Sequence, residues 1–444
     1  MPILSKEQAQ ALLKKVLSYS KADECEVNLN GTDGGNVRYA RNAVSTSGIV
    51  SQTQLIVQSA FGKKLGTATI NEFDDASLEK VVRRSEELAQ LAPENPEYVS
   101  ILGPQQYSES KTYVQSTADI TPKQRAELVE QSLKVAKDSK TVAAGFLEDN
   151  NGFAAMMNSK GLFAYNTSTN TNFSVTVRTE DGKGSGYATR GYNDITKLDT
   201  KSATQIAAEK ATKSASAKAI EPGKYTVILE PAAVAVLLEN IFFGLDARQS
   251  DEGRSFMSKA GGGTRLGEKM VDERVNIYSD PQNPELPTSP WAGDGRPQEK
   301  VSWIEKGVMK NFTWSRFWAE KKGAKPIPQP DAIIMEGGDK SIADLIKGTK
   351  KGVLVTRLWY IRSVDPQTLL LTGLTRDGTF YIENGEIKYP VKNFRFNESP
   401  IIMLNNLEEL GRQERTVSVE SNINYLLPPI KVRDFTFSSL SDAV

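Results

Sequence analysis

The 444-residue sequence contains no histidine. Histidine is the usual general base near neutral pH and the commonest metal ligand, so Ser-His-Asp triads, Cys-His pairs and His-ligated zinc are excluded. A single cysteine, Cys25, leaves no internal disulfide framework and no cysteine-rich zinc site, and it fits a reducing compartment. Neither sign of charge is in excess: 55 Lys and Arg balance 55 Asp and Glu, and no global field points to nucleic acid or an anionic membrane. No apolar run of about 18 residues occurs, so no membrane span is expected. The opening "MPILSKEQAQALLKKVLSYSK" has the pattern of an amphipathic helix and lacks that of a signal peptide. A soluble, cytoplasmic protein is the expectation.

What is present is ordinary for a globular chain, with 39% hydrophobic and 25% charged residues, but the length exceeds a single core. Helical periodicity covers 5–20 and 76–91, the latter with Leu78, Val81, Val82, Leu88 and Leu91 on one face. A third helix over 122–137 opens with Thr121 as N-cap and Pro122 at its first position. Between and after these helices the chain alternates and turns at Gly, as strands do. An α+β domain over 1–220 follows, an antiparallel sheet with flanking helices. The polar, Ala-rich helix 201–218 leads to a boundary near residue 220. A C-terminal, mainly β domain over 221–444 opens with the strand "KYTVILE" and a helix over 231–247 that starts at Pro231. Residues 253–300 read as a long ordered loop region. Asn384-Gly385 between two strands predicts a type I′ hairpin.

Several stretches invite chemistry. "GGGTRLGEK" (261–269) resembles a phosphate loop, but Glu268 stands in place of the lysine and no hydroxyl residue follows; with "DGKGSG" (181–186) it reads as a turn. Glu239, Asp246, Asp251 and Glu252 offer oxygens to a hard cation, although their spacing is not that of an EF-hand. For Asp251 and Glu252 a solvated surface is the competing reading. Arg357, Trp359, Tyr360, Arg362, Arg376, Arg395 and Phe396 fall on neighbouring strand patterns. Such residues would line a groove for an extended peptide, whose backbone pairs with a strand edge. A buried Arg–carboxylate network inside a β-domain is the alternative. Single-stranded nucleic acid also suits basic and aromatic residues, and the neutral net charge weighs against it.

The order of these pieces resembles one family, the TldD/PmbA (TldE) proteins, also called modulators of DNA gyrase. The resemblance covers essentially the whole chain. It is carried by "VILEPAAVAVLLENIFFGLDARQSDEGRSFM", "SPWAGDGRPQEKVSWIEKGVMKNF", "GVLVTRLWYIRSVDPQTLLLTGLTRDGTFYIENGEIKYPVKNFRFNES" and "YLLPPIKVRDFTF". In that family the TldD-type subunit resembles a zinc metalloprotease whose helix carries HExxxH, with a cysteine near the C-terminus as a further ligand. Set against that motif without a gap, "LENIFFGLD" places Leu238 and Phe243 where the histidines fall and Glu239 at the glutamate. The C-terminal cysteine has no counterpart. A catalytic zinc needs about three protein ligands, which hydrocarbon side chains do not supply. The resemblance is therefore to the PmbA/TldE type, which lacks the motif and assembles with a TldD-type subunit into a hollow protease.

Three functions follow as expectations. The first is a metal-free, non-catalytic subunit partnered by a TldD-type protease subunit, shaping access for an extended peptide. The second is a self-sufficient peptidase with a carboxylate-held metal at Glu239 and Asp246. The third is a peptide-binding scaffold that pairs with a second copy of itself. No cofactor is expected under the first reading, and Glu239 remains either a leftover general base or a carboxylate reused for structure.

Overall fold

Capping residues set the helix starts of the first half. Ser5 and Gln8 form a capping box that opens α1 (Lys6–Ser18), and the Asp74 side chain caps α2 (Asp75–Leu91). A short α3 (Gln115–Ala118) precedes α4 (Pro122–Asp138), which Thr121 and Gln124 open with a second capping box. Asp199 caps α5 (Thr200–Ser214). The strands between them are β1 (Glu24–Ala40), β2 (Ala43–Phe61), β3 (Lys64–Ile70), β4 (Thr141–Asn158), β5 (Phe163–Thr179) and β6 (Ser185–Tyr192). They form one sheet in the order β3-β2-β1-β4-β5-β6, antiparallel throughout. α1 and α2 bury Leu13, Val16, Leu78 and Val82 against one part of it, and α4 and α5 bury Val129 and Ala207 against another. This is the α+β arrangement with an antiparallel sheet that the pattern predicts. The structure, a computed structural model, describes residues 3–418, 421 and 423–441.

The second half builds two further sheets. Its elements in chain order begin β7 (Gly223–Leu229), α6 (Pro231–Gly244), α7 (Ala247–Asp251), β8 (Ile277–Ser279), β9 (Val301–Glu305) and β10 (Val308–Met309). They continue through α8 (Arg316–Lys322), β11 (Ala332–Met335), α9 (Ile342–Lys347), β12 (Lys351–Asp365), β13 (Leu370–Glu383), β14 (Glu386–Pro390) and β15 (Phe394–Glu398). The last are α10 (Pro400–Asn405), β16 (Leu407–Leu410), β17 (Glu414–Val417), β18 (Asn424–Leu427) and β19 (Ile430–Leu440). One sheet has the order β10-β9-β8-β11-β18-β17. In the other, β12-β7-β19-β15-β13 closes on itself, because β13 also pairs with β12. Closure gives a small barrel filled by side chains, among them Val227, Val355, Phe394, Phe396, Phe435 and Phe437. Asn384 and Gly385 both have positive φ, 52° and 78°, as the predicted I′ turn between β13 and β14 requires.

Two expected boundaries move. The helix predicted over 231–247 stops at Gly244, because Asp246 accepts from the Gln249 N–H at 2.8 Å and starts α7 instead. The helix predicted over 201–218 ends at Ser214. Residues 253–300 contain one three-residue strand, β8, and otherwise turns. Gly261, Gly262 and Gly263 all have positive φ, so "GGGTRLGEK" is a turn sequence and no helix follows it.

The segment after α2 is held to β1 by Glu24. Its carboxylate takes hydrogen bonds from Tyr98, Ser100 and the Ile101 N–H and pairs with Lys160 at 2.7 Å. Burial pushes this carboxyl up, but those bonds outweigh it and hold it at about 2 against an ordinary 4.5. A carboxyl whose folded value is depressed stabilises the fold above 4.5 and loses that contribution as pH falls toward about 2. Urea midpoints at about pH 5.5 and about pH 2.5 are therefore expected to converge in Glu24→Gln relative to the parent. An unchanged difference between the two midpoints would contradict this role.

Candidate functional site

α6 is apolar on nearly every face, which is the signature of a helix enclosed by protein. Pro231 supplies its first turn, and Val234, Leu237, Leu238 and Ile241 are fully buried. Phe242 meets Trp303 edge-on at 5.6 Å between ring centres. The three positions of interest have different surroundings. Leu238 is 0% exposed, Glu239 5% and Phe243 61%. Five residues apart on a helix, positions 238 and 243 point about 140° away from one another, so one faces the core and the other faces out.

The Glu239 carboxylate is engaged from β17's end of the sheet. Ser418 Oγ donates to Glu239 Oε2 at 2.8 Å, a contact between residues 179 apart in sequence. The Tyr425 phenol on β18 is pushed up, first by burial and then by the charge of Glu239. The other acidic candidates are also engaged. Asp246 caps α7. Asp251 accepts from Trp318 Nε1 at 2.8 Å and pairs with Lys322 at 3.1 Å. Glu252 pairs with Arg248 at 2.9 Å and with Arg254 at 2.5 Å. Among the described residues no group of three or more His, Cys, Asp or Glu side chains is arranged to hold a metal ion. The donor set at the motif helix is hydrocarbon, one hydrogen-bonded carboxylate and hydrocarbon again, which does not fit zinc.

The basic and aromatic residues of the barrel divide into two groups. Register places Arg357 opposite Arg376, Trp359 opposite Leu374 and Arg362 opposite Thr372, and it pairs Leu374 with Arg395. Side chains in register share a face, so Trp359, Arg362, Arg376 and Arg395 lie on the barrel's outer face, and Arg357 shares that face where β6 covers it. There Arg376 stacks over Trp359 and Arg362 over Tyr360, each at 4.1 Å from the ring centre. Trp359 is 37% exposed and Tyr360 49%. Arg395 reaches Thr372 Oγ1 at 3.4 Å, beside the Arg362 position.

Two of the residues read as groove candidates depart from that surface. Phe396 is a correction: it is fully buried inside the barrel against Phe435, because it neighbours Arg395 on a strand and so faces the opposite way. Arg357 is mostly buried. Its Nε donates to Asp377 Oδ2 at 2.5 Å and its guanidinium lies 4.1 Å over the Tyr187 ring. For Arg357 the Arg–carboxylate alternative is the one observed. Asp377 sits at a bulge with φ of 57° and also accepts from Ser185 Oγ, which fastens β6 to the barrel. The Lys210–Glu230 pair, with bonds of 2.7 and 2.6 Å, ties α5 to the start of α6. Neither fastening had a signal in the sequence, since each joins the two halves of the chain.

Comparison with known proteins adds the following. The PmbA/TldA metallopeptidase central domain matches residues 116–218, and the PmbA/TldA metallopeptidase C-terminal domain matches residues 222–439. A metalloprotease of Archaeoglobus fulgidus is 25% identical over 238 residues, 50% of this chain and 53% of that protein, so the match spans about half the length of that relative. The solved TldE from Thermococcus kodakarensis shares the fold with a TM-score of 0.86 at 20% identity, over 97% of this chain and 99% of that one. A candidate modulator of a DNA gyrase from Thermotoga maritima does so with a TM-score of 0.85 at 19% identity, over 97% of this chain and 100% of that one. The two matched domains together take in most of the sequence, and the chain belongs to the PmbA/TldD family of metallopeptidase-like proteins.

Proposed function

We propose that this chain is the metal-free, TldE/PmbA-type subunit of a two-component peptidase. A TldD-type subunit bearing HExxxH would supply the zinc and the hydrolysis. The observation that carries this reading is the state of α6: Leu238 is sealed in the core, Glu239 is hydrogen-bonded to Ser418, and no histidine exists elsewhere to replace them. The chain's own contribution would be to hold an extended peptide on the outer barrel surface around Trp359, Tyr360, Arg362 and Arg395. Those rings supply flat contact area, and the guanidiniums supply donors for backbone carbonyls and carboxylates. The single Cys25 is buried, which suits a reducing, cytoplasmic setting.

The test is a peptidase assay on an unstructured peptide, with this chain alone, with an HExxxH-bearing partner alone, and with the two mixed. No turnover is expected from the chain alone, and the mixture should exceed the partner. In the mixture, Arg362→Ser with Arg395→Ser is expected to lower kcat/KM about tenfold, mainly through KM, since lost uniform binding acts there. Turnover by the chain alone that survives Glu239→Ala would sink the reading, and so would a mixture no faster than the partner. If the mixture is faster but the arginine variant matches the parent, the peptide surface is elsewhere.

A further inference from the structure

At the N-terminal end of α6, where the antiparallel sheet meets the barrel, lies a cavity of about 460 Å³. That is the size of a small-molecule site. One wall is apolar, made by Ile206 of α5, Pro231 and Ala232 of α6, Ile342 and Ile346 of α9, and Leu354 of β12. The other wall carries two guanidiniums, Arg190 and Arg415, that no carboxylate of the described residues pairs with directly. Arg415 of β17 is only 9% exposed, yet its hydrogen-bond acceptors are neutral, Glu285 O at 2.6 Å, Asn193 Oδ1 at 3.2 Å and Asn424 Oδ1 at 3.4 Å, with the Tyr192 ring centre 5.5 Å from its guanidinium. Its Nε is buried without a hydrogen bond. Arg190 of β6, half-buried, donates to Thr189 O at 2.8 Å and to no other acceptor among the described residues.

The remaining charges at the lining do not cancel these two. Lys210 and Glu230 neutralise one another, Glu209 is turned to Lys213 at 3.5 Å, and Glu414 is exposed. Two more polar groups of the lining, Tyr187 Oη and Thr356 Oγ1, are buried without a hydrogen bond. A buried guanidinium beside unsatisfied hydroxyls is costly unless something of opposite charge completes the shell. Burial pulls Arg415 down to about 10, and the neighbouring Tyr192 and Glu285 offset that only in part.

We infer that this cavity binds a small monocarboxylate with a compact aliphatic body, its carboxylate against Arg190 and Arg415 and its hydrocarbon against Ile206, Ile342 and Leu354. The role is separate from the peptide surface on the barrel and does not depend on a partner subunit. Two sources offer this chemistry, a free acylated amino acid and the C-terminus of a peptide ending in an aliphatic residue.

Titration calorimetry on the full chain tests it with three probes: N-acetyl-leucine, N-acetyl-leucinamide and the tetrapeptide Gly-Gly-Ala-Leu. The acid is expected to bind at least about tenfold more tightly than the amide, as a charge-assisted contact requires. Arg190→Met should weaken the acid by about tenfold. Ile206→Trp, made at a partly exposed position, should fill the cavity and abolish binding while leaving the thermal midpoint in place. Arg415 is not varied, because it also holds Asn193, Asn424 and the Glu285 carbonyl. Tighter binding of the tetrapeptide than of N-acetyl-leucine would assign the source as a peptide terminus, and the reverse order would assign a free acid; both support the site. Equal affinity for acid and amide, binding indifferent to both variants, or no heat with the acid up to about 10 mM would each overturn it.

Discussion

Asp377→Ala is expected to cost the fold about 3–5 kcal/mol, read as a lowered denaturant midpoint. The carboxylate is fully enclosed and holds two partners, Arg357 Nε at 2.5 Å and Ser185 Oγ, with Arg376 at 3.9 Å. Removing it strands a mostly buried guanidinium that already has its face against Tyr187. An alanine would also have to accept φ of 57°, a left-handed conformation that Asp and Asn tolerate better. Asp377→Asn separates these causes, since it keeps the backbone preference and an acceptor for Ser185 but loses the charge. Its cost should be a large part of the alanine cost. Arg357→Met in the Asn background should recover part of it, because no uncompensated cation then remains. A midpoint for Asp377→Asn equal to the parent's would mean that the ion pair adds nothing.

Rebuilding the metal motif is expected to fail. Leu238→His with Phe243→His restores the letters HExxxH, but Leu238 is surrounded by core and Phe243 faces outward. An imidazole at 238 would lose the burial of a leucine and bring polar nitrogens among hydrocarbon. The expected cost is about 3 kcal/mol, nearly all from the Leu238→His half. Phe243→His alone should be close to neutral, given its exposed position. No stoichiometric zinc is expected on the double variant after dialysis, because position 238 is sealed in the core, Glu239 remains tied to Ser418, and no third ligand stands nearby among the described residues. A folded double variant that retains one zinc per chain would show that the helix is open to a metal after all.

How much of this was legible depends on how local the determinant is. α6 could be placed from Pro231 and an apolar run interrupted only at Glu239 and Asn240, and its early end is explained by Asp246, whose capping preference is also local. The Asn384-Gly385 hairpin was visible for the same reason: two residues carry the turn. Phe396 was misplaced although the signal was present, since residues adjacent on a strand face opposite ways and Arg395 and Phe396 do not share a surface. The fixing of Glu239 by Ser418, the bulge at Asp377 and the cavity beneath Arg415 rest on contacts between distant segments. No period or spacing announces those. Closure of the barrel belongs with them, because β7 pairs in parallel with β12 far along the chain and β19 must come back to its other side.

That closure also orders events during synthesis. The antiparallel sheet is complete once residue 192 has left the ribosome, and its helices once residue 214 has. β7 follows at once, but its two neighbours begin at residues 351 and 430. A nascent chain therefore carries an apolar strand and the apolar helix α6 unpartnered through most of the remaining translation, the interval in which exposed hydrophobic segments recruit chaperones. A ribosome stalled before residue 430 should present a finished first half and a barrel that has no means of closing.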